Sequence, residues 1–220
     1  MSFVGAGRGN TNTNIQYNDG NYSTSVNVFT GQLKWNVTAT TQNGIKLGPM
    51  ITFCTDIFQF AATKTFNVVS LKDAPNSPPN GPGPMGPEKA AMVHHLYAKY
   101  FHLVNDASSD KDRASAFQIA LWEIVNEQLS AVLAGNLSLT SGWFKASNMT
   151  TNAKNMANAM LLDVKNAWLS DDLEREYLLA AAMSDSGQDQ IVIVPVPPAA
   201  LMGLAGLAGA VVVRRRLRRI

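Results

Sequence analysis

A Pro/Gly-rich stretch divides this chain into two parts whose apolar residues repeat with different periods. The stretch DAPNSPPNGPGPMGPEK, residues 73–89, carries six prolines and three glycines, which disfavour both helix and strand. Before it, apolar residues alternate with polar ones, and after it they recur at helical spacing. The pattern predicts an α+β protein: an antiparallel, barrel-like β part over about residues 20–72, a linker over 73–87 and a helical part over 88–183.

The β part contains four strand candidates. In SVNVFTGQLKWNVTAT, residues 25–40, two alternating runs flank Gly31, which is typical of a hairpin. ITFCTDIF, residues 51–58, and TFNVVSL, residues 65–71, are the next two candidates. A further apolar run in QDQIVIV, residues 188–194, predicts a return strand at about residues 189–195 that rejoins the sheet.

The helical part contains four helix candidates. The first follows Pro87, which suits the first turn of a helix. The strongest covers residues 110–135, with acidic residues at its start and Gly135 at its end. It is apolar over most of its circumference, so we expect it to be largely buried. A third helix is expected at about residues 152–169, and a shorter one in LEREYLLAAAM, residues 173–183.

The charge of the chain is concentrated at its C-terminus. The net charge is +2, but five arginines lie in the last seven residues, and without these five the charge is −3. The body, residues 1–194, also has no Lys/Arg stripe interleaved with aromatic residues. The composition therefore argues against a nucleic-acid-binding protein.

The C-terminal tail, residues 195–220, combines three features in a fixed order. Pro195, Pro197 and Pro198 precede an unbroken apolar run of 15 residues, 199–213, and an arginine cluster follows it. The run predicts a single apolar anchor helix, short for a full bilayer core, with the arginines on the cytoplasmic side. The alternative is a buried Ala/Gly helix, which the adjacent basic cluster disfavours.

This order of features resembles the PEP-CTERM sorting signal of bacterial exported proteins. The resemblance implies that an exosortase recognises the tail and that the protein passes from the inner membrane to the cell surface or outside. The sorting residues would be Pro195, Pro197, Pro198, Arg214, Arg215 and Arg216. The start, MSFVGAGRGNTNTN, lacks the apolar region of a signal peptide, so we expect the export leader to be missing from this sequence.

The single cysteine, Cys54, cannot form a disulfide within the chain. His94, His95 and His102 could activate a thiol or bind a metal. However, Lys99 lies between His95 and His102 on one predicted helix face, and no Cys or carboxylate has zinc-type spacing. We therefore expect solvated or core-edge histidines and no metal or cofactor. A cysteine-dependent hydrolase is a less favoured interpretation, because nothing local positions Cys54 for attack.

Gln118 is the more informative partner for Cys54. It heads the apolar stripe that continues with Trp122 and Val125 on the strongest predicted helix. A buried primary amide needs hydrogen-bond partners. Gln118 could bond a strand backbone and fasten the helix to the sheet. Alternatively, the Cys54 thiolate could attack its carboxamide carbon, expel ammonia and leave an internal thioester.

FCTDIF followed by AFQIALWEI resembles the motif pair of bacterial thioester domains, and the resemblance covers about residues 20–195. The matching residues are Phe53, Cys54, Gln118, Ala120, Leu121 and Trp122. The resemblance implies a covalent adhesin or matrix crosslinker that joins an amine-bearing partner once, rather than a turnover enzyme. Phe53 and Trp122 would shield the bond from water.

Two carboxylates near these motifs could assist proton transfer. Asp56 shares the Cys54 face of the strand candidate, and Glu123 follows Trp122. We favour the simpler interpretation that both are solvated or hydrogen-bonded. The sequence thus leaves two main hypotheses: an exported protein with a thioester, and a passive structural or binding protein with the same fold.

Overall fold

A seven-stranded antiparallel sheet packed against four helices forms the described part of the computed structural model, residues 1–41, 45–76 and 82–194. The strands are β1 (Ser2–Asn18), β2 (Ser23–Val37), β3 (Gly48–Cys54), β4 (Asn67–Ser70), β5 (Phe144–Ser147), β6 (Leu179–Ser184) and β7 (Gly187–Ile193). The helices are α1 (Gly86–Tyr100), α2 (Lys111–Asn126), α3 (Leu129–Leu133) and α4 (Thr151–Leu169). The predicted α+β class is therefore confirmed. The described strand order runs β4-β6-β7-β3-β2-β1-β5, from one edge to the other, rather than closing into a barrel.

The predicted hairpin at Gly31 is wrong, because β2 runs through this position without a turn. Gly31 faces Gly9 of β1 at an irregularity in the pairing and has a φ of 145°. A Cβ atom at Gly31 would overlap the main-chain oxygen of Arg8. The glycine therefore permits a close approach of two strands. The actual turn follows β1, where the Asp19 carboxylate accepts hydrogen bonds from the next main-chain N–H groups.

The β part begins at Ser2, well before the predicted residue 20. Much of β1 is glycine, asparagine and threonine, so its first half shows little apolar alternation. It is held by pairing with β2 along nearly its whole length and with β5 near its end. Ile15 and Tyr17 supply its buried apolar side chains.

The helical prediction holds for three of its four segments, with changed bounds. Pro87 lies in the first turn of α1, as predicted. The Asp110 carboxylate caps α2 by accepting a hydrogen bond from the Arg113 N–H. This helix ends at Asn126, and the predicted continuation to Gly135 contains the separate short helix α3. Helix α4 matches the prediction closely and is capped by Thr150.

The fourth predicted helix is wrong, because its second half forms strand β6. The three alanines 180–182 favour a helix by intrinsic propensity. Here they pair with β4 on one side and β7 on the other, so tertiary packing overrides propensity. The predicted return strand is confirmed as β7, which lies between β6 and β3.

One main hydrophobic core joins residues from both sides of the Pro/Gly stretch. At its centre, Phe53 packs against Phe117 with ring centroids 4.6 Å apart, and Tyr97 stacks on Phe101 at 5.0 Å. Helix α2 is buried from Ala114 to Asn126, as expected from its apolar circumference. This packing presses α2 onto the end of β3 and brings the two sequence motifs together.

Within the described ranges, no helix has the length and apolar character needed to cross a bilayer. The predicted anchor helix and its sorting residues, 195–220, lie outside these ranges.

Candidate functional site

Cys54 and Gln118, predicted as a reactive pair, are in contact. Cys54 Sγ lies 3.5 Å from Gln118 Oε1. The main-chain N–H of Cys54 donates to the same oxygen at 3.0 Å, and Gln118 Nε2 donates to the Cys54 main-chain oxygen at 2.8 Å. The carboxamide is thus fixed by two hydrogen bonds beside the thiol.

The end of the β2–β3 ladder creates this arrangement. Pairing between the two strands reaches Thr52 of β3 and stops there. On the opposite edge, Cys54 pairs with Gln190 of β7, and the Thr55 N–H donates to the Asp189 main-chain oxygen. The Cys54 main-chain groups therefore face a gap on the β2 side. The Gln118 carboxamide fills it with one acceptor and one donor, as a peptide group would.

Burial keeps the thiol of Cys54 protonated. Cys54 is 3% exposed, and burial followed by the charge of Asp56 raises its pKa well above the usual value. Its own main-chain N–H and the Trp122 indole N–H oppose this rise. The indole nitrogen is buried and has no hydrogen-bond partner among the described residues. Trp122 is therefore placed to stabilise negative charge on sulfur.

Only one of the two predicted shielding residues borders the space beside the pair. Trp122 lines a cavity together with Cys54 and Gln118. Phe53 is fully buried but does not line this cavity, because it points into the aromatic core against Phe117. Its role beside Cys54 is core packing.

The two candidate carboxylates are buried rather than solvated. Asp56 accepts a 2.6 Å hydrogen bond from the Phe58 N–H, and burial raises its pKa to about 7. Glu123 accepts a 2.6 Å hydrogen bond from the Ser138 N–H, and burial raises its pKa to about 9. Both carboxylates are therefore of the hydrogen-bonded kind within the prediction of solvated or hydrogen-bonded carboxylates. The charge of Asp56 acts on Cys54, whereas Glu123 fastens the loop before β5.

None of the three histidines contacts Cys54 through a hydrogen bond or lines its cavity. His95 is 1% exposed and lies 3.2 Å from the Asp163 carboxylate. Its Nδ1 accepts the Glu174 N–H, so the ring fastens the segment after α4 to α1. Across the described residues, no group of three or more His, Cys, Asp or Glu side chains could hold a metal ion.

The cavity beside the pair has a volume of about 460 Å³. One wall comes from the β1–β2 hairpin and the other from residues 57–61, which follow β3. The hairpin and segment residues that line it include Phe3, Ile15, Tyr22, Val26, Val28, Leu33, Ile57, Phe58, Gln59, Phe60 and Ala61. The sequence motifs did not assign them to the site. The apolar residues that follow Cys54 in the chain could have indicated that residues 57–61 lie beside it. The contribution of the β1–β2 hairpin to the cavity can be seen only in the folded structure.

Comparison of the chain with protein-family models, with curated proteins and with solved structures finds no match. The site is therefore interpreted from its own geometry and from the sequence motifs.

Proposed function

We propose that this chain is the body of an exported surface or matrix protein in which Cys54 and Gln118 form an internal thioester for covalent attachment to amine-bearing partners. One observation carries the proposal. The Cys54 thiol lies 3.5 Å from the Gln118 carboxamide oxygen while the Cys54 N–H donates to that oxygen. An N–H group at this position polarises the carbonyl and stabilises the negative charge that develops on oxygen when sulfur attacks.

Thioester formation is balanced within the pair. Cys54 Sγ attacks the Gln118 carbonyl carbon, a new S–C bond forms, and the bond from that carbon to Nε2 breaks. The thiol proton ends on the departing nitrogen, which leaves as ammonia. The raised pKa of Cys54 keeps the thiol protonated before the reaction, so the proton must leave sulfur as the attack proceeds, because the thiolate is the nucleophile.

Attack by an amine then transfers the Gln118 acyl group to the partner. The amine nitrogen bonds to the carbonyl carbon, the S–C bond breaks, and one amine proton passes to sulfur. The products are a stable amide and a free Cys54 thiol. The chain would act once per molecule, without turnover. Both reacting residues are at most 3% exposed, so water approaches the bond through the cavity that they line rather than from the open surface.

The location of the protein is proposed from its sequence. Residues 195–220, with the PEP-CTERM-like order of prolines, apolar run and arginines, support transient inner-membrane anchoring and processing by an exosortase. Release to the cell surface or outside would place the body where amine-bearing partners are available. Deleting residues 195–220 should then change where the protein accumulates, and unchanged surface display would contradict this assignment.

A passive structural or binding protein is the second candidate. The two hydrogen bonds between Gln118 and the Cys54 main chain also complete the open edge of β3, without any covalent chemistry. With this function the pair only fastens α2 to the sheet.

Intact mass distinguishes the two candidates. A thioester makes freshly purified protein lighter than its sequence by one ammonia, and methylamine then adds covalently. Cys54→Ala should remove both effects, and Trp35→Phe, a substitution in a different part of the core, should remove neither. An unmodified mass together with a titratable thiol in unfolded, freshly prepared protein would refute the thioester and leave the passive role.

A further inference from the structure

The cavity provides a route from the surface to the Cys54–Gln118 pair. Its volume of about 460 Å³ falls within the range of about 300–1,000 Å³ that small-molecule sites occupy. Phe60, which is 80% exposed, lies at its outer side, whereas Cys54 and Gln118 are buried at its inner side. The chemistry of the lining therefore decides which nucleophile can approach.

The lining is uncharged and mostly apolar. Among the described residues that form it, none is Asp, Glu, Lys, Arg or His. An ammonium ion entering this space would lose water without gaining a counter-charge, which is costly. A neutral amine on an alkyl stem would instead bury the stem against side chains such as Val26, Val28 and Phe58.

One polar atom in the lining lacks a hydrogen-bond donor. Gln59 Oε1 is buried and has no hydrogen-bond partner among the described residues. By contrast, the amide of Gln188, another lining residue, already donates to the Asp56 main-chain oxygen. Gln59 Oε1 can accept an N–H···O hydrogen bond from an entering primary amine.

We propose that the cavity selects a primary amine on an unbranched apolar stem without a second charge, and that Gln59 orients this amine through an N–H···Oε1 hydrogen bond. The inference rests on the proposed function and deepens it. The amine nitrogen attacks the Gln118 carbonyl carbon, the S–C bond breaks, and one amine proton passes to Cys54 Sγ. Gln59 is a positioning residue, and it gains and loses no proton.

Amine selectivity tests the proposal directly. Adduct formation is followed by intact mass with methylamine, n-hexylamine and 1,6-diaminohexane, compared at equal free-base concentration and per amino group. n-Hexylamine should react at least about tenfold faster than methylamine, because its methylenes become buried. The diamine should react more slowly than n-hexylamine, because its second ammonium has no counter-charge. Equal rates for all three amines would overturn the proposal.

Two further variants test the cavity and Gln59 separately. Val26→Asp places a carboxylate in the lining and should make the diamine the faster substrate, whereas Ser25→Asp, on the exposed neighbouring residue of β2, should preserve the original order. Gln59→Leu should slow n-hexylamine addition about tenfold without changing the extent of thioester formation. If the order of amine reactivity is unchanged in Val26→Asp, the cavity does not select the amine. If the rate of n-hexylamine addition is unchanged in Gln59→Leu, Gln59 does not orient the amine.

Failure of the proposed function gives a different result. Without a thioester, the intact mass is unmodified and no amine adds, which refutes both the proposed function and this inference. With a thioester that reacts at rates independent of the stem, only the selectivity is refuted. Binding of n-hexylamine to Cys54→Ala protein, followed by the Trp122 indole proton signal, tests the cavity without covalent chemistry. No perturbation of that signal would contradict the cavity assignment.

Discussion

The carboxamide of Gln118 is bound in both directions by the main chain of Cys54. Its oxygen accepts the Cys54 N–H at 3.0 Å, and its nitrogen donates to the Cys54 oxygen at 2.8 Å. A group at position 118 must therefore offer an acceptor and a donor at the same time. Thioester formation would remove the Nε2 donor, so this requirement applies to the unreacted pair, and it can be tested in protein that lacks the thiol.

Gln118→Glu should be pH-sensitive when introduced into Cys54→Ala protein, where thioester chemistry is absent. The introduced carboxyl group replaces both hydrogen bonds when it is protonated, whereas its ionised form is buried and faces the main-chain oxygen of residue 54. We expect its folded pKa to be raised, so stability should be near that of Cys54→Ala at about pH 4 and fall by about 2–4 kcal/mol towards pH 8. Urea unfolding at both pH values measures this. A constant difference across pH would contradict the bidirectional role.

Trp122→Phe should slow thioester formation while leaving the fold intact. The substitution keeps an aromatic ring beside Cys54 but removes the indole N–H that lowers the thiol pKa. A hydrogen bond to a charged group contributes about 1.5–3 kcal/mol, so formation should slow by roughly 10- to 100-fold. Time-resolved intact mass after refolding measures the rate.

Trp35→Phe is the matched control for this prediction. Trp35 is also buried, and its indole nitrogen also has no hydrogen-bond partner among the described residues, but it packs against Phe3 and Phe66 rather than Cys54. Its substitution should leave the rate of thioester formation unchanged. Equal slowing in both variants would indicate a general packing effect.

The pairing of Cys54 with Gln118 was suggested by the resemblance of their two motifs to those of thioester domains. The local pattern alone predicts only a strand-like run around Cys54 and a helix buried on most sides around Gln118. The hydrogen bonds between Gln118 and the Cys54 main chain could not be predicted from the motifs. They depend on the β2–β3 ladder ending at Thr52, which follows from register.

Strands β1 and β6 show why other parts could not be predicted. Most of β1 is polar or glycine, so its pairing with β2 has little local signal. The alanines of β6 favour a helix locally and become a strand only between β4 and β7. The cavity could not be predicted from the sequence either, because its walls combine the β1–β2 hairpin with residues 57–61, which are distant in the chain.

Asp56→Asn should reduce the loss of stability that accompanies rising pH. Burial raises the folded pKa of Asp56 from 3.8 to about 7. A raised carboxyl pKa means that the folded state holds a proton that the unfolded state has lost between these pH values. The stabilising contribution is therefore complete below about pH 4 and lost as pH rises through 7, by at most about 4 kcal/mol. Asparagine keeps the acceptor for the Phe58 N–H and does not titrate.

Urea unfolding of wild-type and Asp56→Asn protein between about pH 4 and pH 8 measures this difference. Glu123→Gln is the companion variant, because burial raises the Glu123 pKa from 4.5 to about 9. Glu123→Gln should also reduce the loss of stability with rising pH, over a range that extends to about pH 9. Parallel pH profiles for wild-type and Asp56→Asn protein would show that Asp56 is ionised in the fold.

Gly142→Ala should be strongly destabilising, because Gly142 packs against the buried carboxylate of Glu127. A Cβ atom there would overlap Glu127 Oε2. The same carboxylate accepts the Trp143 N–H at 3.0 Å and the Phe144 N–H at 3.3 Å, and it thereby fastens the start of β5 to the end of α2. Moving it would leave buried N–H groups without acceptors, in addition to the cost of a φ of 96°.

Gly20→Ala separates these two costs. Gly20 has a similar φ of 91°, but a Cβ atom there would meet no atom within 4 Å. It should therefore show only the backbone cost of about 1 kcal/mol, whereas Gly142→Ala should lose about 3–4 kcal/mol in urea unfolding. The difference between the two variants measures the Glu127 contact. Equal losses would mean that Glu127 moves without cost and that the β5 attachment does not depend on its hydrogen bonds.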